Sequence, residues 1–126
     1  MKGILRLCIS MLCLISTCSV AAPINYYQAA TTEWLAQTEH YHLQQGIEKA
    51  KLGQFEYAWS EYAFMLHYFP NHPRALELMG NLSIQMKQPD RASKYFERAI
   101  ALYPNDDATQ AMYNEFLQKI NKSKKI

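Results

Sequence analysis

Glycine is scarce in this chain, with four among 126 residues. Beyond the N-terminal segment, only Gly46, Gly53 and Gly80 remain. A phosphate-binding loop needs several closely spaced glycines, and a nucleophile elbow needs the pattern G-x-S-x-G. Neither pattern occurs, so the sequence excludes these two kinds of catalytic site.

Cysteine is confined to the N-terminal segment, at Cys8, Cys13 and Cys18. The remainder of the chain therefore lacks the residues for a disulfide, a thiolate nucleophile or a cysteine-ligated metal. Its stability must come from packing alone, and this composition is compatible with an oxidising destination.

The N-terminal segment has the three parts of a secretory signal peptide. Lys2 and Arg6 supply positive charge, 7–15 is mostly apolar, and small residues follow. The apolar run is too short to span a bilayer as a mature helix. We predict a signal peptide over 1–21, cleavage after Ala21, and export to the periplasm or out of the cell.

Two features offer membrane contact. Residues 15–18 resemble a lipoprotein box, in which Cys18 would carry a lipid and anchor the exported protein. Four lysines crowd the C-terminus, at Lys119, Lys122, Lys124 and Lys125. They are interpreted either as a solvated helix end, favoured by the helix dipole, or as a contact with an anionic lipid surface. Membrane contact is expected only by these two routes.

Charge balance argues against a nucleic-acid partner. The chain has 13 basic and 11 acidic residues, and removal of Lys2 and Arg6 leaves 11 of each sign. The sequence therefore predicts no broad basic face of the kind that binds nucleic acid.

Histidines and carboxylates give no catalytic or metal-binding pattern. His40 and His42 are two residues apart on a predicted helix and point in different directions. No H-x-x-x-H spacing occurs. Asp106 and Asp107 are explained as a helix start. We therefore predict no enzyme activity, no catalytic residue, no metal site and no cofactor.

An internal repeat of 34 residues organises the middle of the chain. This offset aligns identical residues, namely Gly46 with Gly80, Gln54 with Gln88, Ala58 with Ala92, Pro70 with Pro104 and Asn71 with Asn105. Tyr62 and Phe96 form a conservative pair. A run of matches at one offset that mixes small residues, aromatic residues and prolines is hard to obtain by chance.

Each repeat is predicted to be a pair of helices. The predicted helices are 39–52 and 55–68, then 74–86 and 90–102, with a fifth over 107–120. Gly53 allows a turn within the first repeat. Pro70 and Pro104 end the second helices, because proline lacks the amide donor. The predicted fold class is all-α.

This pattern resembles the tetratricopeptide repeat family. The family's repeat-structural positions are occupied by Gly46, Ala58, Tyr62 and Pro70 in the first unit and by Gly80, Ala92, Phe96 and Pro104 in the second. The resemblance implies a right-handed α-α superhelix of helical hairpins. Its parts would be a helical segment over 22–38, repeats over 39–72 and 73–106, a capping helix over 107–121 and a basic tail over 122–126.

Two repeats are fewer than the three or so that a stable solenoid usually needs. The segment 22–38 is expected to compensate, because it carries Trp34 and Leu35 and its residues 24–38 contain no glycine or proline. It is predicted to be a helix that packs against the first repeat or continues directly into it, and in either case to cover one open end of the stack. The sequence departs from the family at His42 and Leu76, which replace an aromatic residue, and at Met65, which replaces an alanine.

The resemblance also implies a binding surface. In the family, the first helices of successive repeats line a concave groove that receives a peptide or helix of another protein. The corresponding residues are His40, Leu43, Ile47, Ala50 and Lys51, then Arg74, Glu77, Asn81, Ile84 and Gln85, with Ala111, Glu115 and Gln118 from the cap. Because Leu43 and Ile47 are apolar, an amphipathic helix is the expected ligand. Alternatively, these two residues serve packing. Such a protein would be an adaptor in bacterial envelope assembly or secretion.

A second candidate surface lies on the predicted helix 55–68, which is aromatic on nearly all sides. Tyr57, Phe64 and Tyr68 share one face, at positions where the family usually has polar residues. They either pack against the predicted helix within 24–38 or form an exposed interface, where aromatic residues are favoured. The second alternative predicts a structural subunit or a homo-oligomer, such as a homodimer.

Overall fold

The fold is entirely helical over residues 21–125, which are the residues that the computed structural model describes. All three cysteines and nearly all of the predicted signal peptide lie outside them. The elements are α1 (Tyr26–Ala29), α2 (Glu33–Thr38), a π-helical stretch (Glu39–Leu43), α3 (Gln44–Lys51), α4 (Phe55–Tyr68), α5 (Pro73–Gln85), α6 (Pro89–Leu102) and α7 (Asp107–Lys124). The all-α prediction is confirmed, and the helices pack as tetratricopeptide-like hairpins.

The first helix of the stack is longer than predicted and is not uniform. Helical backbone continues without a break from Glu33 to Lys51, through α2, the π-helical stretch and α3. The Thr32 side chain caps its start by accepting a hydrogen bond from the amide three residues further on. The Gln44 amide donates to the Glu39 carbonyl, five residues earlier, which makes this turn π-helical. Direct continuation into the first repeat is therefore correct from Glu33 onward.

Two glycines lie where aromatic rings approach the first helices of the repeats. A Cβ atom added to Gly46 would lie 2.5 Å from Tyr62 Cε1, which belongs to α4. At Gly80 the nearest atom would be Phe116 Cδ2 of α7, at 3.1 Å. Only a residue without a Cβ fits such an approach at Gly46 without displacing the ring.

The residues predicted to define the repeats lie in one hydrophobic core. Ala58, Tyr62, Ala92 and Phe96 are at most 2% exposed. The departures from the family pattern at Met65 and Leu76 are accommodated there, because both side chains are fully buried. The two prolines that follow the second helices differ, since Pro70 is buried and Pro104 is exposed.

The segment before Glu33 lies against the turn between the repeats. This part of the segment therefore does not cover an open end of the stack, which corrects the prediction. The Ile24 amide donates to the Tyr68 carbonyl at 2.8 Å. The Tyr26 amide donates to Asn71 Oδ1, also at 2.8 Å. Asn71 is fully buried, and a buried amide side chain needs hydrogen-bond partners. The segment is held at this position because it supplies them.

The last helix, α7, covers the second repeat. It begins after Asp106, whose side chain accepts a hydrogen bond from the Thr109 amide. The Phe116 ring stacks on Phe96, with 5.1 Å between the ring centroids. The helix extends to Lys124, beyond the predicted end of the cap, so most of the predicted basic tail is helical.

Candidate protein-interaction surfaces

The predicted groove residues differ in accessibility. The exposed ones are His40, Lys51, Arg74, Glu77, Asn81, Gln85, Ala111, Glu115 and Gln118, and the half-buried ones are Ile47, Ala50 and Ile84. The exposed residues of α5 recur at intervals of three or four, so they share one face of that helix. The structure thus brings Arg74, Glu77, Asn81 and Gln85 together on one accessible row, whereas Ile84 is half-buried.

Leu43 is not part of an accessible groove, which corrects the prediction for this residue. It is only 5% exposed and belongs to the hydrophobic core. Because Leu43 precedes the buried Gly46 by three residues, both lie on the face of the helix that packs inward. Ile47 is half-buried and also packs against the core. Packing is therefore the role of Leu43, and the first repeat offers little apolar surface for a ligand.

The exposed row on α5 is polar and nearly neutral. Arg74 Nη1 lies 2.8 Å from Glu77 Oε2, so these two charges offset each other. Asn81 and Gln85 follow along the same face, four residues apart. Each amide side chain can donate and accept hydrogen bonds. The row can therefore bind groups with both donors and acceptors.

The aromatic residues predicted to share a face of α4 are accessible. Tyr57 and Phe64 are 44% and 39% exposed, and Tyr68 is half-buried. Residues of the long first helix lie beside them. The His42 ring stacks on Phe64 with 3.9 Å between centroids, and Gln45 Nε2 donates to Tyr57 Oη at 2.7 Å. This surface is therefore formed by both helices of the first hairpin.

The first helix adds two aromatic residues that were not predicted to belong to this surface. Trp34 is 42% exposed, with its ring 5.4 Å from that of Tyr68, and Tyr41 is 65% exposed. The two residues are seven apart, which places them near one another along a continuous helix. The sequence could have identified these two residues if the first helix had been taken as continuous from Glu33 to Lys51.

An open depression of about 260 Å³ lies among these rings. It is lined by Trp34, Gln37, Thr38, Tyr41, His42, Phe64 and Tyr68. Small-molecule sites are usually larger, about 300–1,000 Å³, so this depression fits a single large side chain better. We call the surface formed by Trp34, Tyr41, His42, Tyr57, Phe64 and Tyr68 the aromatic end face.

The histidines do not converge on a common point. His40 and His67 are exposed on different helices, and His42 Nδ1 lies 2.7 Å from Glu61 Oε2. His72 is buried in the turn before α5. Within residues 21–125, no group of three or more His, Cys, Asp or Glu side chains is placed to hold a metal ion.

His72 is a buried titratable residue that lies between the first helix and the start of α5. Its Nε2 atom lies 2.7 Å from Glu39 Oε1, and its Nδ1 atom accepts a hydrogen bond from the Ala75 amide. Burial lowers the pKa of His72, and the neighbouring Glu39 carboxylate offsets only part of this shift. The neutral imidazole thus joins the first helix to the start of α5.

The C-terminal end of the stack has an apolar depression with lysines at its edge. The depression measures about 400 Å³ and is lined by Ile84, Lys87, Pro89, Ile120, Ser123 and Lys124. Of the four C-terminal lysines named in the predicted lipid contact, Lys124 alone lines it. No helix within residues 21–125 is both long enough and apolar enough to cross a membrane.

Comparison with known proteins identifies one part of the chain. The sequence profile of the tetratricopeptide repeat matches residues 73–106, which contain α5 and α6 and correspond to the second predicted repeat. No curated protein and no solved structure matches the chain. Residues 73–106 are a tetratricopeptide repeat, a unit that typically serves protein–protein interaction rather than catalysis.

Proposed function

We propose that this protein is a non-catalytic adaptor that holds a segment of another protein against the first helices of its repeats. The observation that carries the proposal is the exposed row on α5, inside the tetratricopeptide repeat. Arg74, Glu77, Asn81 and Gln85 of this row are all exposed. Repeat proteins bind their partners on extended surfaces built from such rows.

An extended polar peptide is the ligand that this row fits best. Asn81 and Gln85 offer paired donors and acceptors, which match the amide and carbonyl groups of an extended backbone. The pairing of Arg74 with Glu77 leaves no net charge to select a strongly acidic or basic partner. An amphipathic helix fits less well, because Leu43 is buried and the apolar part of the predicted groove is small.

Affinity capture from the cells that make the protein tests this proposal. The baits are the full chain and the double variant Asn81→Glu/Gln85→Glu. The matched control is Ser60→Glu/His67→Glu, which adds the same two charges at exposed positions of α4. We expect the wild type and the control to retain a common partner that the α5 variant loses.

All baits must give the same helical circular dichroism spectrum. Capture of the same partner by all three would overturn the assignment of the α5 row.

We also propose that the protein is exported and acts in a bacterial cell envelope. The support is the charged, apolar and small-residue pattern of 1–21. Mass spectrometry of the protein from its own cells should find Ala22 as the first residue. Detergent-phase partitioning that Cys18→Ser abolishes would instead establish the lipid anchor. An intact chain that begins at Met1 in the cytoplasmic fraction would contradict export.

A further inference from the structure

The aromatic end face corresponds to a surface that is covered in the second repeat. At the offset of 34 residues, Tyr41 corresponds to Ala75, Tyr57 to Arg91 and Phe64 to Arg98. Ala75 is fully buried, whereas Tyr41 is 65% exposed. The same side of the hairpin is thus an internal contact in one repeat and an exposed surface in the other.

The second repeat uses this side to dock onto α4. Arg91 donates to both carboxylate oxygens of Glu56, at 2.7 and 3.0 Å, and its guanidinium lies 4.3 Å from the centre of the Trp59 ring. Arg98 Nη1 donates to the Leu66 carbonyl at 2.8 Å. In the first repeat, aromatic rings stand at the positions of these two arginines. An aromatic ring suits an apolar contact rather than a charged one.

We infer that the aromatic end face is an interface between two copies of this chain, related by a two-fold axis. A two-fold interface must be complementary to itself, because residue i of one copy meets residue j of the other and the reverse. Tyr41 is the most exposed ring of the face and borders a depression that fits one large side chain. In this arrangement, the two-fold axis places Tyr41 of each copy in the depression of its partner.

The charges at the border of this face are compatible with self-pairing. Like charges that meet across a two-fold axis oppose association. Glu61 is engaged by His42 at 2.7 Å within each copy. Lys49 Nζ lies 4.9 Å from the centre of the Tyr57 ring, so this cation is also engaged locally. Neither group needs a partner of opposite charge from the second copy.

At the other end of the stack, the second repeat is covered by α7. Tyr113 of α7 stacks on Phe96 at 5.3 Å and donates from its hydroxyl to Glu97 at 2.9 Å. Within residues 21–125, α7 thus occupies the side of the second repeat on which a further hairpin would pack. The aromatic end face of one copy is therefore left to pair with the same face of another.

The exposed aromatic area indicates how large the interface can be. Trp34, Tyr41, Tyr57 and Phe64 are 42%, 65%, 44% and 39% exposed. At about 200 Å² for each side chain, this corresponds to roughly 380 Å² of aromatic surface in each copy. A standard interface takes about 800 Å² from each partner, so these rings supply about half and polar neighbours the rest. We therefore expect a weak, reversible dimer.

Sedimentation velocity of the full chain over a wide concentration series tests this inference. We expect a monomer–dimer equilibrium in the wild type. Tyr41→Glu should weaken it at least about tenfold, because each copy would bury a carboxylate in the apolar depression of its partner. Leu117→Glu is the matched control, since Leu117 is 38% exposed on α7 and outside the aromatic end face. This control and Asn81→Glu/Gln85→Glu should dimerise like the wild type.

A photo-crosslinking residue at position 41 identifies what covers the face. Copies labelled with nitrogen-14 and nitrogen-15 are mixed, so that crosslinks between copies carry both labels. Crosslinks between position 41 of one copy and Trp34 or Phe64 of the other support the inference. Crosslinks within one copy to 1–20, or only to a different protein, would overturn it. So would a wild-type chain that stays monomeric, or a Tyr41→Glu chain that dimerises normally.

Discussion

His72 Nε2 lies 2.7 Å from Glu39 Oε1, although the imidazole is only 1% exposed. The other ring nitrogen, Nδ1, accepts a hydrogen bond from the Ala75 amide and thereby caps α5. A single proton on Nε2 satisfies both contacts, so the fold selects this neutral tautomer. A second proton on Nδ1 would remove the acceptor that caps the helix.

We expect the free energy of unfolding to fall as the pH decreases below about 6.5, the ordinary pKa of histidine. Burial lowers the pKa of His72 in the folded state. The unfolded chain therefore takes up a proton first. The contribution of the neutral ring is present above about pH 6.5 and is lost as the pH falls towards the folded pKa. For one group this loss cannot exceed about 1.4 kcal/mol per pH unit.

Urea unfolding of the wild type and of His72→Gln, each at about pH 7.5 and 5.5, measures this contribution. The other three histidines are present in both chains, so the difference between the two chains isolates His72. We expect the smaller loss of stability in the variant. An equal loss in both chains would refute the assignment.

Gly46→Ala should destabilise the fold by about 1–3 kcal/mol, because the added Cβ would lie 2.5 Å from Tyr62 Cε1. Gly80→Ala should cost less, since the nearest ring atom would lie 3.1 Å away. Thermal and urea unfolding of both variants measure the difference. In the double variant Gly46→Ala/Tyr62→Leu, the loss of the ring should relieve the clash by at least about 0.5 kcal/mol relative to additivity. Strict additivity would show that the two residues are not in conflict.

Asn71→Ala should cost about 2–4 kcal/mol. The Asn71 side chain donates to Asn25 Oδ1 at 3.0 Å and to Asp106 Oδ2 at 2.9 Å, and it accepts from the Tyr26 amide at 2.8 Å. Each such bond contributes about 0.5–1.5 kcal/mol net, and any partner left buried and unpaired adds to the loss. Asn105, the corresponding residue of the second repeat, is exposed. Asn105→Ala is therefore the control, with an expected change within about 0.5 kcal/mol.

Arg91→Ala should destabilise the packing between the repeats by about 0.5–1 kcal/mol, mainly through loss of the contact with the Trp59 ring. Glu56→Ala should have the smaller effect, because the Glu56 side chain is 70% exposed and its ion pair is screened by water. Chemical unfolding of the two variants and of Arg91→Lys provides the comparison. Lysine keeps the charge but loses the planar stacking, so it should not restore the wild-type value.

The helices that were predicted best are those that begin or end beside a glycine or a proline, because these two residues have strong effects on backbone conformation. Helix α4 has the predicted bounds, because Gly53 with φ +74° forms the turn before it and Pro70 follows it. Helices α5 and α6 each begin one residue earlier than predicted, at prolines that are favourable in a first helical turn. Ala58, Tyr62, Ala92 and Phe96 were also recognisable, because they repeat at one offset.

The contacts of the residues before the repeats were not predicted, because no periodic sequence pattern indicates them. The cap at Thr32 lies before the repeats, and the π-helical turn that ends at Leu43 lies at the start of the first repeat. Both depend on local hydrogen bonds that the repeat pattern does not encode. The attachment of Asn25 to Asn71 joins residues 46 positions apart. Exposure of Trp34 and Tyr41 depends on what lies beyond the first hairpin, which the helical pattern of the hairpin itself does not encode.

The attachment of residues 24–26 to the turn between the repeats changes how this chain is expected to unfold. In a simple stack, each repeat contacts only its neighbours, so unfolding proceeds from either end in steps. Here the Asn71 side chain, in the turn between the repeats, donates hydrogen bonds to Asn25 and to Asp106, the residue that precedes α7. Detachment of residues 24–26 or of the start of α7 therefore breaks hydrogen bonds at the turn between the repeats. We therefore expect residues 24–124 to unfold as one cooperative unit rather than repeat by repeat.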